Sequence, residues 1–209
     1  PRNTPNVNDW GYAINGGMDV KYGINEAFTL DMTLIPDFGQ VQFDNEILNL
    51  TPFEVEFIDY RQFFTEGTEL FNKTNLFYSR RIGGRPINFR GAYSGLDSNE
   101  RVIDNPANSQ LFNATKVSGR TKGGLGIGVF NGVSAATYAT VEDTLDFSTR
   151  RILTAPLSNY NVLVLDQNFK HNSYVTLTNT NVWREGSFYD ANLTALHAKF
   201  NNKDNKYFI

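Results

Sequence analysis

The sequence predicts an all-β protein: an antiparallel up-and-down transmembrane β-barrel, present here as a partial chain, with an irregular excursion near residues 36–75. Three observations carry this. Apolar and polar residues alternate along segments of about ten residues, the length and pattern of a membrane strand. Short connections alternate with long ones, as tight periplasmic turns alternate with external loops in such barrels. Aromatic residues make up 14% of the chain, with 17 Phe and 10 Tyr, yet polar residues are interleaved with them rather than set apart.

Composition removes several other classes. With 209 residues, 40% of them hydrophobic and 20% charged, the chain forms one large or two small domains. Its longest aliphatic runs are of the order of Val162-Leu163-Val164-Leu165, far short of the ~20 apolar residues of a membrane helix. A net charge of −3 provides no field for phosphate backbones, so nucleic acid is not an expected partner. The absence of cysteine forbids disulfides, thiolate metal sites and cysteine nucleophiles.

Residues 1–10 read as a linker or arm, and residues 11–209 as the N-terminal part of the barrel. Met18, Val20, Tyr22 and Ile24 alternate with Asp19, Lys21 and Gly23, and after an Asn25-Glu26 turn Phe28, Leu30, Met32 and Leu34 alternate with Thr29, Asp31 and Thr33. This is a hairpin with matched faces. Pro36-Asp37-Phe38-Gly39 ends the pattern, and Pro52 counts against a long helix in the excursion that follows. Strand patterning resumes at Leu76–Ile82, turns at Gly83-Gly84-Arg85-Pro86, and allows a short strand over Ile87–Ser94. Leu96–Ser109 and Val141–Asn159 read as loops. Leu111–Arg120 and Gly124–Tyr138 are strands, and in the second Leu125, Ile127 and Val129 alternate with Gly124, Gly126 and Gly128, leaving one face bare for close approach or curvature. Tyr160–Phe169, Ser173–Trp183 and Tyr189–Phe200 complete a set of eight to ten strands. Pro1 is not preceded by a leader, and Lys206–Ile209 reads as the start of another strand, so more chain is expected at both ends.

Chemically active constellations are sparse. Glu54, Glu56, Asp59, Glu66 and Glu69 include candidates for an acid/base pair, but nothing in their spacing sets a separation. His171 in a turn and His197 in a strand lack a second imidazole at ligand spacing. Gly124–Gly128 lacks the Lys and Ser/Thr of a phosphate loop. No catalytic, cofactor-binding or metal residue is assigned, and no cofactor. In a strand, Arg80 and Arg81 would point to opposite faces, one to the lumen and one to an interface or loop end. A lumen arginine seeks carboxylates, so Asp37, Glu66, Arg61, Arg80 and Arg81 form the candidate polar network. Tyr160, Trp183 and Tyr189 are the candidate interface aromatics, with Thr, Asn and Asp expected toward the lumen.

The blocks Leu30–Val41, Asn49–Glu54, Arg61–Gly67 and Leu76–Gly83 resemble a family of large Bacteroidota outer-membrane proteins of unknown function. Members carry an N-terminal domain similar to a family 9 carbohydrate-binding module, followed by a long β-barrel, and this chain is similar to the start of the barrel part. The resemblance implies a location in the cell outer membrane, and neither a sugar-binding nor a catalytic residue. The expectation is a structural or transport-related barrel in contact with outer-membrane lipid and with other outer-membrane proteins, in glycan handling or in an outer-membrane complex. The alternatives are a soluble all-β carbohydrate-binding module, binding glycan through Trp183, Tyr189 or Tyr160, and part of a glycan-processing enzyme with its carboxylates in the excursion.

Overall fold

The computed structural model describes residues 17–36, 50–52 and 56–204. The predicted arm at 1–10, Asp37 and Glu54 of the excursion, and the closing run 206–209 lie outside the described residues.

The chain is all-β and antiparallel. Strands β1 (Met18–Gly23), β2 (Phe28–Leu34), β3 (Glu100–Asp104), β4 (Leu111–Arg120), β5 (Leu125–Ser134), β6 (Thr137–Asp143), β7 (Thr149–Ala155), β8 (Ser158–Asn168), β9 (Tyr174–Arg184) and β10 (Ala191–Lys199) form two sheets. One has seven strands in the order β1-β2-β4-β5-β8-β9-β10, and the other three in the order β3-β6-β7. The larger sheet is a meander interrupted twice, by the excursion and β3 between β2 and β4, and by β6 and β7 between β5 and β8. It is open: β1 and β10 are its edges, and no closed barrel forms among the described residues. Short turns at 24–27, 121–124 and 169–173 gather at one end, and both long insertions leave from the other. Asn25 makes the first turn by accepting the backbone N–H groups of Ala27 and Phe28 at 2.8 and 3.0 Å.

The alternation reads correctly in the long strands. In β5 and β8, Gly126, Gly128, Phe130 and Gly132 share a face with Tyr160, Val162, Val164 and Asp166, and Ile127, Val129, Leu163 and Leu165 take the other. The first face is covered by the excursion. A four-residue helix α1 (Gln62–Thr65) and a 3₁₀ turn at Phe71–Thr74 lay Phe64, Leu70 and Phe71 against Leu111, Ala114, Phe130, Val162 and Val164. The bare glycine face is what admits them. A Cβ on Gly128 would lie 3.1 Å from the Phe71 ring, and one on Gly126 would lie 2.8 Å from Leu70.

Five segments differ from the sequence expectation. Leu76–Ile82 is not a strand but runs into a 3₁₀ turn at Ser79–Arg81, because Arg61 takes the carbonyls of Ser79 and Ile82 at 2.7 and 2.6 Å and leaves no ladder to form. Ile87–Ser94 contains another 3₁₀ turn, Phe89–Tyr93. Gly124–Tyr138 breaks after Ser134, where the Ala135 N–H turns to the Gln110 carbonyl at 2.7 Å. Within the predicted loops lie all of β3 and β7 and the end of β6. Their mixed charges are cross-strand ion pairs, Arg101 with Glu142 at 2.7 Å and Arg150 with Glu100 at 2.5 Å, and Arg150 holds the Glu100 carboxyl down at about 2.

Replacing Gly128 by Val must displace the Phe71 ring. The expected loss is about 2 kcal/mol, read as a lower urea midpoint, whereas Gly123→Val in the exposed turn leaves the midpoint near wild type.

Candidate functional site

Three charged clusters organise the excursion: two tie it to the covered face of the sheet and the third braces the excursion internally. The deepest centres on Asp166, whose side chain is fully buried. Its carboxylate accepts from Lys73 Nζ at 2.7 and 2.8 Å, from Thr176 Oγ1 at 2.6 Å, and from the Arg120 guanidinium. Lys73 belongs to the excursion and lies 4.5 Å from the centre of the Tyr174 ring, while Arg120 and Thr176 belong to the seven-stranded sheet. One turn further on, the Thr74 and Thr178 hydroxyls meet at 3.2 Å.

The second cluster lies across β1, β2 and β4, where Lys21, Asp31 and Lys116 are register partners. Buried Lys116 donates to the carbonyls of Phe63 and Glu66 and lies 3.8 Å from Asp31. Lys21 reaches Glu66 at 3.1 Å. Glu66 also accepts from Gln62 Nε2 at 2.8 Å, and that hydrogen bond, together with Lys21, holds its carboxyl below the usual range.

In the third cluster, buried Arg61 grips Asp59 at 2.9 and 2.7 Å through Nε and Nη2. Ser79 Oγ donates to the same carboxylate at 2.6 Å, and the guanidinium lies 4.1 Å from the Phe64 ring centre. Burial alone would push the Asp59 carboxyl up. The hydrogen bonds and charge of Arg61, with the Ser79 hydroxyl, outweigh it and hold the carboxyl down. Asp59 and Glu66 are thus stabilised as anions, the opposite of what a general acid for glycoside hydrolysis requires.

Toward the long-connection end, the excursion, the small sheet and the wall enclose an open cleft of about 2010 Å³. Arg61, Arg80, Arg81, Arg85, Arg151 and Arg184 all border it, and Asp104 is the single carboxylate among its described lining residues. Three members of the predicted network, Arg61, Arg80 and Arg81, therefore come together, whereas Glu66 belongs to the Lys21 cluster and Asp37 lies outside the described residues. The opposite-face expectation for Arg80 and Arg81 fails because they sit in a 3₁₀ turn and not in a strand. Tyr160, expected as an interface aromatic, has the parity of Val162 and packs beside the buried cluster. Trp183, 58% exposed, and Tyr189, 68% exposed, do lie at the surface, with Tyr189 4.6 Å from the Arg184 guanidinium.

Sequence reasoning missed Lys21, Asp31, Lys73, Lys116, Arg120 and Asp166 as partners. A signal existed in part, since Lys21, Asp31, Lys116 and Arg120 occupy the polar half of their strands' alternation, and Asp166 is the lone acid ending the apolar run Val162–Leu165. Nothing local marked Lys73.

The fold and these clusters define an all-β protein whose main sheet carries its charges on a covered face. The chain belongs to the family described as Domain of unknown function (DUF5916), which matches residues 3–209. No curated protein and no solved structure matches it.

Because the folded-state Asp59 carboxyl is depressed, its contribution to stability is complete above the unfolded carboxylate pKa of about 3.9 and is lost as pH falls through the lower folded value. Asp59→Asn should cost about 3 kcal/mol at neutral pH and should flatten the fall in urea midpoint between neutral and strongly acidic buffer. An unchanged acid profile in the variant would contradict the pairing.

Proposed function

We propose that this chain is wall and internal filling of an integral outer-membrane β-barrel, with a structural or transport-related role. The observation that carries this reading is the arrangement of the two faces of the seven-stranded sheet. The face toward the excursion holds Asp31, Lys116, Arg120, Asp166, Thr176 and Thr178. The opposite face holds Leu163, Leu165, Leu177 and Leu196, exposed at 42, 36, 38 and 69%. Charge on the covered side and aliphatics on the open side is the reverse of a water-soluble sheet and is the pattern of a barrel wall.

The apolar band is also oblique. Along the register row from Val20 and Met32, the apolar character ends at Thr115 and gives way to Asn131, Asn161, Asn181 and Asn192. Two rows nearer the short turns, the row from Phe28 is still apolar at Ile127, Leu165, Leu177 and Leu196. The band thus drifts toward the short turns from β1 to β10. A lipid layer crossing strands that tilt by roughly 35–45° produces this slant.

The asparagines bordering the band satisfy one another. Asn131 Nδ2 donates to the Asn159 and Asn161 carbonyls, both at 2.8 Å, Asn161 to Asn181 at 3.1 Å, and Asn181 to Asn179 at 3.1 Å. Paired amides beside hydrocarbon lower the cost of placing them there.

The resemblance of the blocks between residues 30 and 83 to large Bacteroidota outer-membrane proteins agrees with this reading. Joining β1 to β10 through further strands would remove both open edges. A soluble glycan-binding module is less well supported, because Tyr160 and Trp183 lie on opposite faces and cannot form one platform.

Leu165→Arg distinguishes lipid from water on the outer face. Facing lipid near mid-depth, the substitution costs about 3 kcal/mol, measured by urea titration after refolding into phosphatidylcholine vesicles. On a water-exposed face it costs no more than about 0.5 kcal/mol. Heat-modifiable gel migration and a detergent requirement are expected, and a monomer that stays soluble without detergent would overturn the proposal.

A further inference from the structure

We infer that the arginine-bordered cleft is a binding site for an elongated ligand carrying two or more oxyanion groups, phosphate or carboxylate. This goes beyond the barrel proposal and does not depend on it, since the cleft lies on the side of the main sheet away from the exposed aliphatic face.

The inference stands on Arg85, Arg151 and Arg184, brought to one cleft by three separate elements: the turn after Gly84, strand β7, and the end of β9. Each guanidinium is held by an aromatic ring, Arg85 4.2 Å from Phe89, Arg151 4.3 Å from Tyr138, and Arg184 4.6 Å from Tyr189. A ring against the guanidinium leaves the edge N–H groups as the donors to an oxyanion, in pairs at Arg85 and Arg151, the geometry that receives it by two parallel hydrogen bonds. Neither Arg85 nor Arg151 nor Arg184 forms a salt bridge among the described residues, in contrast to Arg61, Arg101, Arg120 and Arg150.

Arg184 adds a separate sign. Its Nη1 donates to the Tyr189 carbonyl at 2.6 Å, but its Nε–H is buried without a hydrogen-bond partner. The fold thus leaves the hydrogen bonding of this cation incomplete at the cleft wall.

Charge and size narrow the ligand. Asp104 is the single carboxylate among the described lining residues, so Arg85, Arg151 and Arg184 place a local excess of positive charge there although the chain as a whole carries −3. A volume of about 2010 Å³ exceeds the ~300–1,000 Å³ of ordinary small-molecule pockets, and the cations are spread across it rather than converging on one point. A single small anion would leave most of them unused.

The test titrates the intact protein by calorimetry with tripolyphosphate, with trigalacturonate, and with neutral maltotriose, each at low and high salt. The expected result is binding of at least one of the two anions, weakened by salt, with no comparable heat from maltotriose. Whichever anion binds more tightly identifies the oxyanion source. Combining Arg85→Gln, Arg151→Gln and Arg184→Gln should weaken that binding by at least about tenfold, and the three Lys replacements should restore it only in part, because ammonium lacks the planar fork. Lys122→Gln, in the short turn at the other end, should leave it unchanged. If the triple variant does not fold by circular dichroism, each single Gln variant is measured and should bind more weakly than wild type. Absence of binding by both anions, or wild-type affinity in the triple variant or in all three single variants, would overturn the inference.

Discussion

Asp166 sits in the middle of the covered sheet face with no exposure to solvent, and a buried carboxylate is tolerated only with partners that satisfy its charge and its lone pairs. Thr176 comes from the neighbouring strand β9 and Arg120 reaches across from β4, so the main sheet supplies part of what it needs. Lys73 is supplied by the excursion, and this requirement places a segment remote in sequence at one spot on the sheet. The rest of the interior follows. With Lys73 anchored, Phe71 lies over Gly128 and Leu70 over Gly126, and Phe64, Phe77 and Ile82 extend the same cluster toward the other end. Lys116 then reaches the carbonyls at the end of α1, and the Asp59–Arg61 pair locks the turn that carries Arg80 and Arg81. Beyond the reach of that filling, the cleft stays open.

The two faces of the main sheet have exchanged the roles usual in a soluble protein. Charged groups are concentrated where the excursion covers them and can be paired, and aliphatic side chains stand on the face that none of the described elements covers. The asparagine ladder marks where the second face changes character. Threonine and aspartate do occupy the excursion-facing side, as alternation leads one to expect, but the asparagines of β5, β8, β9 and β10 that form the ladder have the opposite parity. Their amides are satisfied by one another across the strands, a solution open only to a side chain that both donates and accepts.

Much of this architecture was legible from residue order. Strands β2 and β4 fall where alternation puts them, at Phe28–Leu34 and Leu111–Arg120, and β8, β9 and β10 are displaced by no more than two residues at either end. The glycine face of β5 announced a close neighbour. Illegible were the segments whose backbone hydrogen bonds are decided elsewhere. Leu76–Ile82 has the composition of a strand, but its carbonyls are claimed by an arginine fifteen or more residues upstream. The mixed charges of β6 and β7 resemble a loop until Glu100 and Arg101 are set across from Arg150 and Glu142. Tyr160 shares the parity of Val162, so its side chain packs beside the buried cluster.

Period-two patterning is a property of neighbouring residues, so the chain's own order was enough to establish antiparallel strands, their faces, and the existence of a long insertion. Pairing of charges is a property of distance in space, and Lys73 with Asp166 spans 93 positions that no local pattern can bridge. Which face the excursion covers, which cations border the cleft, and which aliphatics are left uncovered were decided only when the sheet and the excursion met, because burying a charge demands its counterpart at a few ångströms.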